Sequence, residues 1–219
     1  IHDRRGQVLW SVTPGSRCGV AEAASGYRVA HGQGYTQVSH DRGSLQVNVS
    51  WCVDPHSAVK QVRLRLVNRG HRTRHLRIAG IAEWMMGANR TDRGTVHTAL
   101  FRQRLPPAHE AGGRPGGERR LTALLCTQRE RAAGFGDGTA FFALAGDADA
   151  DEADDWTCDR RELFDARGRL VLPDHLGQQQ GSGLDPCAAL TTRVTLAPGD
   201  TAERVFLLGY GAHPDTARQ

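Results

Sequence analysis

Alternation of apolar and polar residues with a period of two is the feature that most constrains the fold of this chain. In the segment 44–51 every second residue is apolar: Leu45, Val47, Val49 and Trp51. An extended strand places such residues on one face and the intervening polar residues on the other. Helical periodicity is nearly absent from the chain. The sequence therefore predicts an all-β protein.

Short segments of the same character recur and are bounded by Gly, Pro or Asp. The further predicted strands are Val59–Val67, His75–Trp84, Val96–Phe101, Leu121–Thr127, Thr139–Ala145, Ala189–Leu196 and Arg204–Tyr210. An irregularity at Gln61-Val62 predicts a β-bulge in the first of these strands. The turn residues Asn68-Arg69-Gly70 predict that this strand and the next form a hairpin or a meander. The whole pattern favours one large antiparallel β-sandwich domain over residues 1–219.

Two segments interrupt the strand pattern. Residues 106–120 are rich in Pro, Gly and charge, which predicts a flexible loop. Residues 147–155 are strongly acidic and are expected to form a solvated loop. A calcium site is disfavoured there, because the segment lacks the turn glycine and the closing glutamate of an EF-hand loop.

The charged residues do not indicate a nucleic-acid or membrane protein. The net charge is +4, and Lys60 is the only lysine. The arginines are scattered among acids, which suits the outward faces of strands better than one phosphate-binding stripe. No segment reaches the length of apolar sequence that spans a bilayer. We therefore expect no nucleic-acid partner and no direct membrane contact by this chain.

The cysteines favour a reducing compartment. The five residues are Cys18, Cys52, Cys126, Cys158 and Cys187. Their odd number and the absence of CxxC spacing indicate neither a disulfide framework nor a zinc site. We expect each of them to be a small buried hydrophobic residue. No metal or other cofactor is predicted.

Four sequence blocks, in this order, resemble the sandwich domain that precedes the catalytic barrel in glycoside hydrolase family 94. The most specific block is Tyr27-Arg28-Val29-Ala30-His31-Gly32-Gln33-Gly34-Tyr35-Thr36, which follows Trp10-Ser11-Val12-Thr13-Pro14. The others are Val53-Asp54-Pro55 with the predicted strand Val59–Asn68, the segment Ala82–Arg90, and the segment Gly183–Leu190 with Phe206–Gly211. The last block resembles the corresponding block in the cyclic β-1,2-glucan synthase branch of that family.

This resemblance implies a supersandwich of the galactose-mutarotase-like type that packs against an (α/α)6 barrel of the same parent chain. In that family the catalytic acid lies on the barrel, so the resemblance implies a non-catalytic scaffold domain, with no catalytic residue of its own. It also implies a place on the cytoplasmic side of the inner membrane, within a larger membrane-anchored enzyme. Homodimerisation is left open.

Four residues are candidates for contact with a glucan. His31 and Tyr35 flank two glycines, which would let a sugar approach the backbone while Tyr35 stacks on its ring. The alternative is a tight connection between strands. Trp84 and Arg90 are the other two candidates, and the alternative for Trp84 is a place in the core. These residues leave open an autonomous β-glucan-binding module.

A mutarotase-like enzyme is a further alternative, and it would require His31 and Glu83 to converge in one cleft. Glu83 is otherwise expected to pair with an arginine. Asp54-Pro55 and Asp185-Pro186 are interpreted as turn initiators, because Asp bonds its own backbone and Pro fixes φ. No two carboxylates form an evident catalytic pair by their spacing. Three further histidines are expected to be polar surface residues: His40, His71 and His75.

Overall fold

The computed structural model shows an all-β chain and describes residues 1–4, 8–14, 26–105, 119–130, 138–145, 155–213, 215 and 217. In chain order the strands are β1 (His2–Asp3), β2 (Val8–Leu9), β3 (Arg28–Gly32), β4 (Tyr35–Arg42), β5 (Leu45–Val53), β6 (Val59–Asn68), β7 (Arg74–Glu83), β8 (Val96–Leu105), β9 (Arg119–Gln128), β10 (Thr139–Ala145), β11 (Asp155–Asp159), β12 (Pro186–Leu196) and β13 (Thr201–Gly211). Short 3-10 helices lie at Arg90–Thr95 and Arg160–Glu162.

The strands form two antiparallel sheets. The small sheet has five strands in the order β11-β12-β7-β1-β2, and the large sheet has eight in the order β3-β4-β5-β6-β13-β10-β9-β8. Alternate side chains of both sheets meet in one buried cluster, which includes Val47, Leu64 and Phe142 from the large sheet and Ile78 and Leu190 from the small one. The predicted antiparallel β-sandwich is therefore confirmed.

Two details of the predicted strand pairing are wrong. The register of β5 with β6 is unbroken from Leu45 opposite Asn68 to Val53 opposite Lys60, so no bulge occurs at Gln61-Val62. The strands β6 and β7 do not form a hairpin either, because β6 belongs to the large sheet and β7 to the small one. The Asn68-Arg69-Gly70 turn instead carries the chain from one layer of the sandwich to the other.

The outer side of the small sheet carries a second apolar cluster. Leu163 and Leu176, from the segment after β11, pack there with Cys187 and Ala189 of β12. A buried ion pair lies on the same side, with Nη2 of Arg77 3.6 Å from Oδ2 of Asp155. Oδ2 of Asp155 also accepts a hydrogen bond of 2.5 Å from the backbone N–H of Leu176. These contacts hold the segment 160–181 against the sheet.

The outer side of the large sheet is divided into a polar half and an apolar half. On β5 and β6 it presents Asn48, Ser50, Arg63 and Arg65, which alternate with the buried residues. On β8, β9, β10 and β13 it presents an apolar cluster, here called the apolar outer face: Phe101, Leu121, Ala123, Leu125, Phe141, Ala143 and Leu207. The cluster lies on the side of the sheet opposite the main core, because it alternates along the strands with core residues such as Leu124 and Phe142.

Several local expectations can be compared with the structure. Residues 106–118, most of the predicted flexible loop, and residues 147–154 of the acidic loop lie outside the described residues. Strand β9 begins at Arg119 and strand β11 at Asp155.

Cys126, Cys158 and Cys187 are buried as predicted, whereas Cys52 is exposed, and Cys18 lies outside the described residues. Among the described residues, no helix is long and apolar enough to cross a membrane.

Candidate functional site

The predicted pair His31 and Tyr35 lies on the hairpin formed by β3 and β4. The turn consists of Gln33-Gly34, where Gly34 has a φ of 84°. His31 is opposite Thr36, and Gly32 is opposite Tyr35, so His31 and Tyr35 point to opposite faces of the large sheet. The segment thus forms the tight connection between strands of the alternative interpretation, and contact of His31 and Tyr35 with a glucan stays a prediction.

The surroundings of the two side chains also differ. Nδ1 of His31 lies 3.0 Å from Oγ1 of Thr36, within hydrogen-bond distance. Tyr35 is 50% exposed. Its ring covers Gly32 so closely that a Cβ at Gly32 would lie 2.0 Å from Cε1 of Tyr35. The glycine therefore lets the Tyr35 ring lie flat on the hairpin, and the His31 side chain takes no part in that contact.

Trp84 follows directly after β7 and is 5% exposed. Its backbone N–H donates a hydrogen bond of 3.2 Å to the carbonyl oxygen of Pro186, which joins the end of β7 to the start of β12. The indole packs in the main core between the sheets. This placement favours the core interpretation, because the ring is not presented to solvent for stacking on a sugar.

Arg90 is exposed and begins the first 3-10 helix. It lines a shallow open cavity of about 410 Å³ at the end of the small sheet. The residues that line this cavity, here called the arginine pocket, are Arg90, Arg93, Gly94, Arg161, Gly183, Leu184, Asp185 and Pro186. Arg90 is the one predicted site residue that the structure places in this pocket.

A charge network lies beside the arginine pocket. Nη2 of Arg93 donates a hydrogen bond of 2.7 Å to Oδ1 of Asp185, and Nη1 of Arg93 lies 4.0 Å from Oε2 of Glu83. Arg160 contacts the same two carboxylates, with Nε 3.1 Å from Glu83 and Nη1 3.7 Å from Asp185. Two guanidinium groups therefore bridge two carboxylates. The prediction that Glu83 pairs with an arginine is confirmed.

Asp185 is not the simple turn initiator that the sequence suggested, because its carboxylate contacts Arg93 and Arg160. The turn interpretation is confirmed at Asp54, where Oδ1 accepts hydrogen bonds from the backbone N–H groups of His56 and Ser57 at 2.8 and 3.0 Å. The bond from His56 is the largest factor that lowers the pKa of Asp54.

Arg161 is held at the rim of the pocket by Asp159. Its Nε donates to both carboxylate oxygens at 2.9 Å, and this side-chain bonding lowers the pKa of Asp159. The side chain of Arg90 makes no ion pair with any residue that the structure describes. The pocket thus presents one unpaired guanidinium, which suits an anion or the hydroxyl groups of a sugar.

Sequence reasoning missed that Glu83 and Asp185, which are about a hundred positions apart, share the guanidinium groups of Arg93 and Arg160. The pairing of β7 with β12 places Cys187 opposite Glu83 and so brings both acids to one end of the small sheet. Glu83 lies on the outer side of that sheet, whereas His31 lies on the first strand of the large one. The structure does not bring His31 and Glu83 into one cleft.

The fold and the site define a large two-layer sandwich domain with an arginine-rich pocket at one end. The chain matches the family described as "Glycosyl hydrolase 94, supersandwich domain" over residues 1–219. It therefore belongs to the glycosyl hydrolase 94 supersandwich family.

A curated relative is the "Cyclic beta-(1,2)-glucan synthase NdvB" of Rhizobium meliloti (strain 1021). The two sequences are 28% identical over 199 residues, which are 88% of this chain and 6% of the relative. The chain thus spans a small part of the length of that protein.

Solved structures that are similar to the chain include a polysaccharide lyase, with a TM-score of 0.46 and 10% identity over 83% of this chain and 22% of the lyase. A putative aldose 1-epimerase from Escherichia coli K12 has a TM-score of 0.43 and 8% identity over 84% of this chain and 68% of that chain. Similarity at this level carries no argument about function.

Proposed function

We propose that this chain is a non-catalytic scaffold domain of an enzyme of the cyclic β-1,2-glucan synthase type. In this proposal it packs against an (α/α)6 barrel of the same parent protein, on the cytoplasmic side of the inner membrane. The similarity to a glucan synthase and the membership of the glycosyl hydrolase 94 supersandwich family support the class of enzyme. The observation that carries the scaffold role is the apolar outer face.

The apolar outer face is suited to a permanent partner because it is continuous across four strands. In register, Phe101 is opposite Ala123, Ala123 is opposite Ala143, and Ala143 is opposite Leu207. At its centre Ala123, Leu125 and Ala143 are already buried within the chain, at 3%, 8% and 1% exposure, and the larger side chains of Phe101, Leu121, Phe141 and Leu207 around them are partly exposed. In this proposal the barrel covers these partly exposed apolar side chains.

The absence of catalysis is supported by the chemistry of the acids. Glu83 and Asp185 each contact two guanidinium groups, and these contacts join β7, β12 and the two 3-10 helices. The two carboxylates therefore serve as cross-links in the fold. In this proposal the arginine pocket is a rim feature beside the barrel and carries out no chemistry.

The scaffold role is tested by mixing the chain with a separately produced (α/α)6 barrel of the parent protein. Leu207→Glu places a charge on the apolar outer face, and we expect it to weaken association by about tenfold or more. Ser50→Glu introduces the same residue on the polar half of the same sheet side and should leave association unchanged. Calorimetry measures both affinities, and circular dichroism verifies that each variant folds.

Equal affinities of the two variants would contradict the assignment of this face. Failure of the unchanged chain to bind the barrel would contradict the scaffold role itself. Self-association of the chain that is lost only in Leu207→Glu would assign the same face to a homodimer, and sedimentation distinguishes that result.

A β-glucan-binding module is the second candidate, favoured by the exposed ring of Tyr35 and the unpaired Arg90. Titration of the chain with linear and cyclic β-1,2-glucan, with a β-1,3-glucan as control, tests it. A heat of binding that is seen with β-1,2-glucan but not with β-1,3-glucan, and that is lost in Arg90→Ala, would support this function over the scaffold role. Phosphate-dependent release of glucose 1-phosphate by the chain alone would overturn the non-catalytic assignment.

A further inference from the structure

The segment 178–183, which leads into one wall of the arginine pocket, has an uncommon backbone conformation. Gln178, Gly181 and Gly183 have positive φ values of 52°, 115° and 80°. Glycine adopts such values freely, but Gln178 is the one non-glycine residue with a positive φ in the part of the chain that the structure describes. Backbone conformations of this kind persist where surrounding contacts hold them, and they cluster at ligand sites. The segment therefore points to a role beyond connecting β11 to β12.

Contacts with both layers of the sandwich hold this segment in place. The N–H of Gln178 and the carbonyl oxygen of Gln179 form hydrogen bonds with the backbone of β11, at 3.1 and 2.9 Å. Gly181 exchanges two backbone hydrogen bonds of 2.9 Å with Thr98 of β8. Strand β11 is at the edge of the small sheet and β8 is at the edge of the large one, so the segment bridges the two edges. It therefore gives the arginine pocket a fixed wall.

The charged groups of the pocket carry an excess of positive charge. Four guanidinium groups and three carboxylates make up the pocket and the network beside it: Arg90, Arg93, Arg160, Arg161, Glu83, Asp159 and Asp185. The nearby Asp92 accepts a hydrogen bond of 2.9 Å from the backbone N–H of Asn89 and does not line the pocket. One positive charge is thus uncompensated, and it lies on Arg90, which has no hydrogen bond or ion pair with any described residue.

Backbone groups of the pocket are also available to a ligand. Gly183 and Leu184 line the pocket, and their N–H groups have no hydrogen-bond partner among the residues that the structure describes. A Cβ at Gly183, or at Gly94 elsewhere in the lining, would meet no atom within 4 Å. A ligand can therefore approach the backbone closely at both glycines.

We propose that the arginine pocket binds a phosphate-type oxyanion, either free phosphate or the phosphate group of an ester. The planar guanidinium of Arg90 offers parallel donors that match two oxygens of such an anion. Nε and Nη2 of Arg161 are bonded to Asp159, which leaves Nη1 of Arg161 for the ligand. A neutral sugar would leave the charge of Arg90 uncompensated, so the charge balance favours an anion over hydroxyl groups.

The test titrates the chain with inorganic phosphate and with glycerol phosphate at constant ionic strength. The backbone amide NMR signals of Gly94, Gly183 and Leu184 should shift as the pocket fills. Arg90→Ala should weaken binding of the tighter probe about tenfold or more, because hydrogen bonds to charged groups are strong. Arg65→Ala is the matched control, since it removes an exposed guanidinium from the polar half of the large sheet and should leave the affinity unchanged.

Binding of inorganic phosphate alone would support a site for the free ion, and tighter binding of glycerol phosphate would support a site for an ester. No binding of either probe, or an equal loss of affinity in the two variants, would overturn the proposal. Glucose is the neutral control, and glucose that shifts the same amide signals as strongly as phosphate would also overturn it. Circular dichroism verifies that each variant folds. None of these outcomes involves the apolar outer face, so the scaffold role is tested separately.

Discussion

His40 and Trp10 form a polar contact at the inner side of β4. Nε1 of Trp10 donates a hydrogen bond of 3.2 Å to Nε2 of His40, and His40 is 5% exposed. The expectation that His40 is a surface residue is wrong, because the even positions of β4 face the core. Since Nε2 acts as the acceptor, this bond requires the neutral imidazole.

This contact should make the stability of the fold dependent on pH. Burial lowers the pKa of His40 from 6.5, and the charge of Arg42 acts in the same direction. Below pH 6.5 the unfolded chain therefore binds more protons, so the stabilisation is complete above that pH and is lost as the pH falls through the pKa of the folded state. His40→Gln keeps an acceptor for Trp10 and does not titrate.

Urea unfolding at pH 7 and pH 5 should show a smaller loss of stability in His40→Gln than in the unchanged chain. Burial also lowers the pKa values of His2 and His97, but both proteins share these groups, so the difference reports on His40. An equal loss in the two proteins would contradict the prediction.

The cysteines should differ sharply in reactivity. Burial raises the pKa of Cys126 to about 12 and that of Cys158 to about 11, and it also raises the pKa of Cys187. Because the thiolate is the nucleophile, these thiols should react with a disulfide reagent only after unfolding. With Cys18 replaced by Ser, the folded chain should react rapidly through one thiol, that of Cys52. This reaction should release one equivalent of the reagent's thiol leaving group. Cys52→Ser should abolish that release; its persistence would show that a buried thiol is accessible.

The turn between β6 and β7 is the element that joins the two layers. Asn68 is fully buried, and its Nδ2 donates to the carbonyl oxygens of Arg72, Leu196 and Ala197 at 2.9 to 3.1 Å. Its Oδ1 accepts from the N–H of Gly70 at 3.1 Å. One side chain thus ties its own turn to the turn between β12 and β13.

Asn68→Ala should destabilise the fold by about 2–3 kcal/mol, because it leaves buried carbonyl groups without donors. Asn48→Ala is the matched control. Asn48 lies on the outer side of the large sheet, where its Oδ1 accepts from Gln37 at 2.9 Å, and its loss should cost less than about 1 kcal/mol. Urea unfolding measures the free energy of unfolding of each variant, and a similar loss of stability in Asn68→Ala and Asn48→Ala would argue against the role of Asn68.

At the level of elements, most long strands were predictable, whereas β4, with eight residues, and the shorter strands β1, β2, β3 and β11 were not predicted. Thr139–Ala145 coincides with β10, and all seven other predicted strands lie in or overlap observed strands. The short strand β11 was missed because its sequence, Asp155–Asp159, is rich in acids, yet all five residues are buried. The environment that buries them comes from β12 and the segment 160–181, which are distant in sequence.

Over the whole molecule, both sheets share one core. Trp10, Trp84 and Trp156 all belong to it, together with residues of β5, β7, β10 and β12. Neither sheet can expose its inner face to solvent without also exposing the inner face of the other sheet. The sandwich should therefore unfold as one unit.

Tryptophan fluorescence and far-ultraviolet circular dichroism should give one shared midpoint in urea. Leu64→Ala removes a core side chain of the large sheet and should shift both signals together, at a cost of about 2–5 kcal/mol. Separate midpoints for the two signals, in either protein, would show that the layers unfold independently.

The sequence by itself determined eight of the strands and the sandwich class, because the alternation of period two is a local property of an extended chain. Only the tertiary structure decided that β6 and β7 lie in different layers and that Glu83 and Asp185 share the guanidinium groups of Arg93 and Arg160. Each of these depends on pairing between strands far apart in sequence, for which local periodicity carries no information.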